Sequence, residues 1–167
     1  MLDFGTAKIS WRGYYPGVLG EIIRLHATYY HEQWGFDISF ETQEGKELCE
    51  FMARFNPEQD GLWTSVVDGK FAGSVAIDGQ LTNTEGARLR WFIVDSALRG
   101  MGIGKVLMRK AIEFCRVVGH RRVYLWTFMG LEAARSIYER EGFVLSQERE
   151  VIQWGRIIKE QRFDLTP

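Results

Sequence analysis

The sequence predicts a mixed α/β domain of the α+β kind: a central, mostly antiparallel sheet of about seven strands with flanking helices and one βαβ crossover. Three observations carry that expectation. Seven segments have the short, β-branched and aromatic character of strands, and four have the period of helices. The dipeptide "DG" at Asp68 and Gly69 joins two strand segments through residues that both tolerate positive φ, the mark of a tight hairpin. A glycine-rich turn, "RGMGIG" at residues 99–104, separates the apolar run "LRWFIV" from a helical stretch, and a strand, helix and strand in that order make a crossover unit.

From the N-terminus, "TAKISWR" alternates well enough for a short strand, and "GYYPG" reads as a turn. The helix expected over "VLGEIIRLHATYYHEQ" has a broad apolar surface of Leu19, Ile22, Ile23, Leu25, Tyr29 and Tyr30, with His26 at its edge. A second, over "FETQEGKELCEFMARF", turns Leu48, Phe51, Met52 and Phe55 inward and is broken by "NPEQDG". "LWTSVVD", "KFAGSVAID" and "ARLRWFIVD" follow as strands, the last pair joined by the longer "DGQLTNTEG". After Gly104 the period becomes helical, burying Ile103, Leu107, Ala111, Phe114, Cys115 and Val118, and "VYLWTF" returns to strand. "LEAARSIYEREG" is the last helix, capped by Gly142, and "FVLSQEREVIQWG" and "RIIKEQRFDLTP" close the chain as paired strands.

A chain of 167 residues without repeats or linkers is expected to form a single domain over 1–167. Its net charge of -1 supplies no positive field to gather DNA or RNA. Cys49 and Cys115 have neither metal-binding nor redox spacing and are expected to be buried thiols, so no metal is expected. The start lacks the pattern of a signal peptide and no stretch approaches eighteen apolar residues, which makes a soluble, cytoplasmic protein without membrane partners the expectation. Aromatic strands near an exposed sheet edge offer a surface for a homodimer.

The glycine turn has two readings. Gly100, Gly102 and Gly104 can serve as turn and packing residues, with Arg99 solvated. Alternatively, the first N–H groups of the following helix lack intrahelical partners, the helix dipole favours negative charge there, and glycines let a phosphate approach the main chain. Arg99 would add a charge-assisted contact from the side. The spacing G-x-G-x-G differs from the dinucleotide fingerprint G-x-G-x-x-G, and no G-K-S/T ending is present.

Two segments, "LRWFIVDSALRGMGIG" and "AARSIYEREGF", resemble the GCN5-related N-acetyltransferase (GNAT) superfamily, the first matching its R/Q-x-x-G-x-G/A pyrophosphate loop and the second its late helix and Gly-Phe turn. "RLRWFIVD", "VYLWTF" and "EQRF" are similar to the acetyltransferase module of winged-helix-fused members, although this chain has no length for an added DNA-binding domain, and Ser96 stands where such members often carry proline. The resemblance implies a GNAT-like fold over almost the whole chain and acetyl-CoA as cosubstrate, with a primary amine as small-molecule acceptor. It implies that Arg99, Gly100, Met101, Gly102, Ile103 and Gly104 hold the pyrophosphate, and that the main chain of Ile93 and Val94 binds pantetheine and orients the acetyl carbonyl. It also implies that Tyr138 protonates the departing CoA sulfur; a packing role on the stripe with Leu131 and Ala134 is the competing reading.

The amine must be neutral before it attacks, so a general base is needed. "RLRWFIV" contains no carboxylate; Asp95 is better placed to organise the loop entrance, and Glu85, Glu41, Glu32 and His26 are available elsewhere. His26, Trp91, Trp126 and Phe128 are expected to be packing residues first. Arg88 and Arg90, two apart on one strand, share a face and suit the carboxylate of a small acidic amine, unless acidic neighbours take them up. Transfer to a non-amine acceptor, or a CoA-binding module without transfer activity, are the alternatives.

Overall fold

A computed structural model describes residues 7–167. A short strand β1 (Ile9–Arg12) leads into helices α1 (Val18–Trp34) and α2 (Ile38–Ala53), then the meander β2 (Gly61–Val67), β3 (Lys70–Asp78) and β4 (Ala87–Val94). Helix α3 (Ile103–Val118), strand β5 (Val123–Phe128), helix α4 (Glu132–Arg140) and the ribbon β6 (Val144–Gln153) and β7 (Arg156–Leu165) complete it. The seven strands form one sheet in the order β1-β2-β3-β4-β5-β7-β6. Only β4 and β5 run parallel; every other neighbouring pair is antiparallel. The crossover through α3 therefore sits where the alternation predicted it.

Local chemistry accounts for the boundaries. Asp68 (φ 49) and Gly69 (φ 82) take the two positive-φ positions of the β2–β3 turn. The Asp37 carboxylate accepts a hydrogen bond from Ser39 N at 2.9 Å and caps α2. Gly35 and Gly119 end α1 and α3 in the left-handed conformation, each returning its N–H to carbonyls of the last turn.

From Phe71 to Asp78 β3 is buried on both faces, because helices cover each side of the sheet. On one face Leu107, Met108, Ala111, Ile112 and Cys115 of α3 pack on Ala72, Val75, Ile77 and Leu125. On the other, Val18 and Ile22 of α1 and Leu48 and Phe51 of α2 pack on Ala76, Trp91 and Ile93. Each of the leucine, isoleucine, valine, methionine and phenylalanine side chains contributes about 1.5–3 kcal/mol by leaving water.

Some expectations for α2 require correction. Cys115 is buried, and burial pushes its thiol up to about 12, but Cys49 is exposed. With Leu48 and Phe51 turned to the sheet, the position after Leu48 is rotated about 100° away and meets solvent. The helix also stops at Ala53, so Phe55 lies beyond its end and, like Met52, is only partly covered. Among the described residues no helix is long and apolar enough to cross a membrane, and no group of three His, Cys, Asp or Glu could hold a metal ion.

Candidate active site

Strands β4 and β5 pair only at Ala87–Val123 and Arg88–Tyr124, then diverge. Beyond that point β4 carries a bulge: Ala76 pairs with Arg90 and Ser74 with Ile93, so Trp91 and Phe92 together oppose the single residue Val75. Trp91 takes a left-handed backbone (φ 47), a conformation that costs a bulky residue about 1–3 kcal/mol. It is held by burial of its ring against Phe51 (5.3 Å between centroids), by the Arg90 guanidinium 4.1 Å from its centroid, and by Ser74 Oγ donating to its carbonyl at 2.7 Å. The result is a wedge-shaped opening in the middle of the sheet, continuous with a cleft of about 770 Å³.

At one end of the cleft stand Ile93 and Val94, the turn residues Arg99, Gly100 and Gly102, and Ile103 and Gly104 at the start of α3. Gly100 (φ 86) and Gly102 (φ 79) are left-handed, and a Cβ at either would meet no atom within 4 Å, so the space beside them is open to a ligand. Gly102 caps α3 without any side-chain hydrogen bond, leaving the first-turn N–H groups to that space. Gly104 has a different task, since a Cβ there would lie 3.1 Å from Ile137 Cδ1 of α4, tight enough that this side chain would have to give way. Arg99 extends over the Tyr29 ring at 5.1 Å. Met101 does not line the cleft; its side chain packs against the α3 core. Asp95 accepts from Ala97 N at 3.0 Å and caps the 3₁₀ turn Ser96–Leu98, which leads into the glycine turn. An uncapped helix start beside two open glycines fits a diphosphate, and the separated strand edges fit an extended amide-bearing arm.

Tyr138 reaches the cleft from α4 and is buried among Phe92 (5.8 Å), Phe163 (6.0 Å) and Phe143 (6.1 Å). Burial raises its phenol well above the usual tyrosine range, which keeps the proton on it. Packing and cleft-lining are therefore both true of this side chain.

The opposite end is made of side chains. Arg90 is taken up by Glu47 and by Asp78 Oδ2 at 3.3 Å, and Asp78 is shared with Arg54 at 2.6 Å. Arg88 is different: its Nε is buried without a hydrogen-bond partner among the described residues. Burial, and next the charge of Arg90, disfavour its positive form, so an anion arriving there would relieve both. The adjacent α1–α2 loop and β6–β7 turn are locked together. Asp37 N donates to the Trp154 carbonyl at 3.1 Å, Trp154 Nε1 donates to Gln43 Oε1 at 2.9 Å, and the Trp154 ring packs on Phe36 (4.9 Å) and Phe40 (5.0 Å).

Among the expected bases, Glu85, Glu41 and Glu32 do not line the cleft, and Glu85 is paired with Arg162 at 2.8 Å. His26 does line it, but its Nδ1–H donates to Ile22 O at 2.8 Å and burial lowers its pKa to about 4. Glu44, which the sequence reasoning passed over, lines the cleft beside Glu47, Arg88 and Arg90. Burial first, and then the Glu47 charge, raise its pKa to about 7, while Arg90, Arg88 and a hydrogen bond from Trp91 act against the rise. A signal was present: Phe40, Glu44, Leu48 and Phe51 lie at i, i+4, i+8 and i+11, so a carboxylate occupies the buried stripe of a helix.

Comparison with known proteins agrees with this geometry. Residues 21–143 match the model of the acetyltransferase (GNAT) family. The chain is 32% identical over 136 residues to an uncharacterised N-acetyltransferase of Methanocaldococcus jannaschii, covering 78% of this chain and 59% of that one. It is 38% identical over 87 residues to the N-acetylaspartate synthetase of Homo sapiens, covering 52% of this chain and 28% of that one. The chain thus spans less than two thirds of either relative. An acetyltransferase from Salmonella typhimurium solved with its cofactor acetyl-CoA superposes with a TM-score of 0.76 at 14% identity, over 95% of this chain and 94% of that one. A GNAT-family acetyltransferase from Staphylococcus aureus does so with a TM-score of 0.74 at 16% identity, over 95% and 99%. With the split sheet, the glycine turn and the family match in agreement, the chain belongs to the acetyltransferase (GNAT) family.

Proposed function

We propose that this chain is an acetyl-CoA-dependent N-acetyltransferase whose acceptor is a small primary amine bearing a carboxylate. The observation that carries the acceptor class is Arg88: a cationic side chain lining the cleft, with a buried donor left open, beside an Arg90 already neutralised by Glu47 and Asp78. A carboxylate supplies the missing acceptor and the missing charge together. The aromatic lock between the α1–α2 loop and the β6–β7 turn favours a compact acceptor over a threaded chain. The N-acetylaspartate synthetases among the relatives carry in their name an acidic amino acid as the acylated group, which accords with this reading.

Acetyl-CoA supplies the activated thioester. In this reading the N–H groups at the start of α3, the glycines at 100, 102 and 104 and Arg99 hold the diphosphate, with Met101 and Ile103 contributing main chain to the same turn. The backbone of Ile93 and Val94, at the open edge of β4, aligns the acyl arm and polarises its carbonyl. Tyr138, kept protonated by burial, delivers a proton to the sulfur as the C–S bond breaks.

The test is steady-state thiol release from acetyl-CoA with L-aspartate, L-glutamate, L-alanine and spermidine as acceptors. The dicarboxylates are expected to be turned over best. Arg88→Ala should raise KM for them about 10- to 100-fold, the cost of unpairing a buried charged contact, while KM for acetyl-CoA stays put. Equal turnover of spermidine, or an Arg88→Ala enzyme with unchanged KM, overturns the acceptor class.

A further inference from the structure

We propose that Glu44 of α2 is the general base that takes the proton from the acceptor's ammonium group, an assignment that rests on the N-acetyltransfer reading above. The general base is the one role that β4 leaves unfilled, since Ala87–Val94 contains no carboxylate. Three features of the cleft assign it to this residue. Glu44 lines the cleft and enters none of the ion pairs around it, whereas its neighbour Glu47 is committed to Arg90. It stands beside Arg88, the proposed carboxylate anchor, so an amino acid held there by its carboxylate presents its nitrogen to the same part of the cleft. Its position on the sheet-facing stripe of α2 fixes its direction, because Phe40, Leu48 and Phe51 of that stripe are buried.

The groups that face Glu44 are Glu47 on its own helix, Tyr30 of α1, and Arg88, Arg90 and Trp91 of β4. Beyond them stand Asp78 of β3, joined to Arg90, Tyr124 of β5, close to Arg88, and His26 of α1, which also lines the cleft. A carboxylate raised to about 7 is half ionised at neutral pH, so it can both accept a proton and hold it. His26, at about 4, is too weak a base to compete.

The bookkeeping of the step is closed. The ammonium gives one proton to the Glu44 carboxylate, and the freed lone pair forms the N–C bond to the thioester carbonyl carbon. The C–S bond breaks with its electron pair on sulfur, and that sulfur takes the Tyr138 proton. The nitrogen sheds its second proton, which restores the phenol, and Glu44 releases the first to solvent. One ammonium ion and one acetyl-CoA thus give one amide, one CoA thiol and one proton.

The experiment is the pH dependence of kcat, which reports groups in the bound complex, measured between pH 5.5 and 9 for the wild type, Glu44→Gln and Glu47→Gln. The acceptor is L-aspartate or, if it is inert, whichever amine of the panel is turned over. The wild type should rise with unit slope to a plateau, with a midpoint near 7. Glu44→Gln should lose about 100-fold in kcat at pH 8 together with that midpoint, while calorimetry shows acetyl-CoA binding unchanged. Glu47→Gln should keep the acid limb but move its midpoint to lower pH, because the Glu47 charge no longer opposes ionisation of Glu44. Hydroxylamine, already neutral at the assay pH, should be acetylated by wild type and Glu44→Gln at rates within about threefold of each other, because no proton has to be removed first. A Glu44→Gln enzyme that retains wild-type kcat and the acid limb overturns the assignment while leaving the transferase reading intact. A wild type that turns over no amine of the panel overturns the transferase reading, and the base assignment with it.

Discussion

At the end of the cleft where α3 begins, the polar groups on offer belong to the main chain: N–H groups that Gly102 leaves uncapped, and strand edges that β4 and β5 leave unpaired. At the other end they belong to side chains gathered from α2 and β4, where Glu44, Glu47, Arg88 and Arg90 crowd one another. The two constructions behave differently. Main-chain donors carry partial charges and need no partner to remain in place, so the donor end can stand ready at little energetic cost. Buried ionised side chains cost several kcal/mol each unless matched, and the acceptor end is matched everywhere except where we place the substrate. In the proposed reading, specificity is thus concentrated in the half of the site that is harder to keep folded.

The largest effect is expected where the two halves meet. Tyr138→Phe should lower kcat about 100-fold with both KM values nearly unchanged, since it removes a proton donor and leaves the ring in its aromatic nest. Initial rates at saturating acetyl-CoA check this, and a loss under threefold would reduce Tyr138 to a packing residue.

The energetic contrast can be sharpened by pH. Glu44 is raised from its ordinary 4.5 to about 7, so between those values the folded protein holds a proton that the unfolded chain has released, and stability falls as pH rises through that window. His26 is lowered from 6.5 to about 4, so the unfolded chain binds the extra proton, and stability falls as pH drops below 6.5. Glu44→Gln should accordingly be more stable than the wild type by about 3 kcal/mol at pH 8 and nearly indistinguishable from it at pH 4.5, measured by urea unfolding. A difference independent of pH would show that the carboxylate is not strained by its burial.

The smallest effect belongs to the main-chain end. Gly102→Ala should weaken acetyl-CoA and CoA binding about tenfold in calorimetry, because the methyl group enters open space beside the phosphates and the left-handed backbone strains by about 1 kcal/mol. Pantetheine, which lacks the diphosphate, should bind the variant as it binds the wild type; equal losses for both ligands would mean that the turn had collapsed as a whole.

This contrast also explains what could be read in the chain before the structure. All seven strands, four helices and the Asp68–Gly69 hairpin are local signals, written in spacing of two or 3.6 residues and in turn chemistry. The glycine turn is local too, because consecutive residues build it, although its three glycines divide into two that bend the chain and one, Gly104, that admits α4. The surroundings of Glu44 could not be read in the same way, because they are set by β4 and α1, far away in sequence, and only the carboxylate within an apolar stripe hinted at them. The division of labour between Arg88 and Arg90 was likewise invisible: strand parity placed both on one face, but only the fold brings Asp78 and Glu47 to one of them.

The gap between β4 and β5 has a consequence for the life of the molecule as a whole. Two strand edges face each other across it with their hydrogen-bonding capacity unspent, an arrangement proteins otherwise cover or avoid because unpaired edges recruit other chains. In the proposed reading an extended ligand with amide groups would complete the sheet from within, and so would act as a missing rung of the fold as well as a reactant. By mass action, a ligand at 100 times its dissociation constant adds about 2.7 kcal/mol to the folded state. Resistance to heat and proteases then becomes a gauge of how much acyl donor surrounds the protein, and a shortage of donor would be felt first as a shorter lifetime of the empty chain.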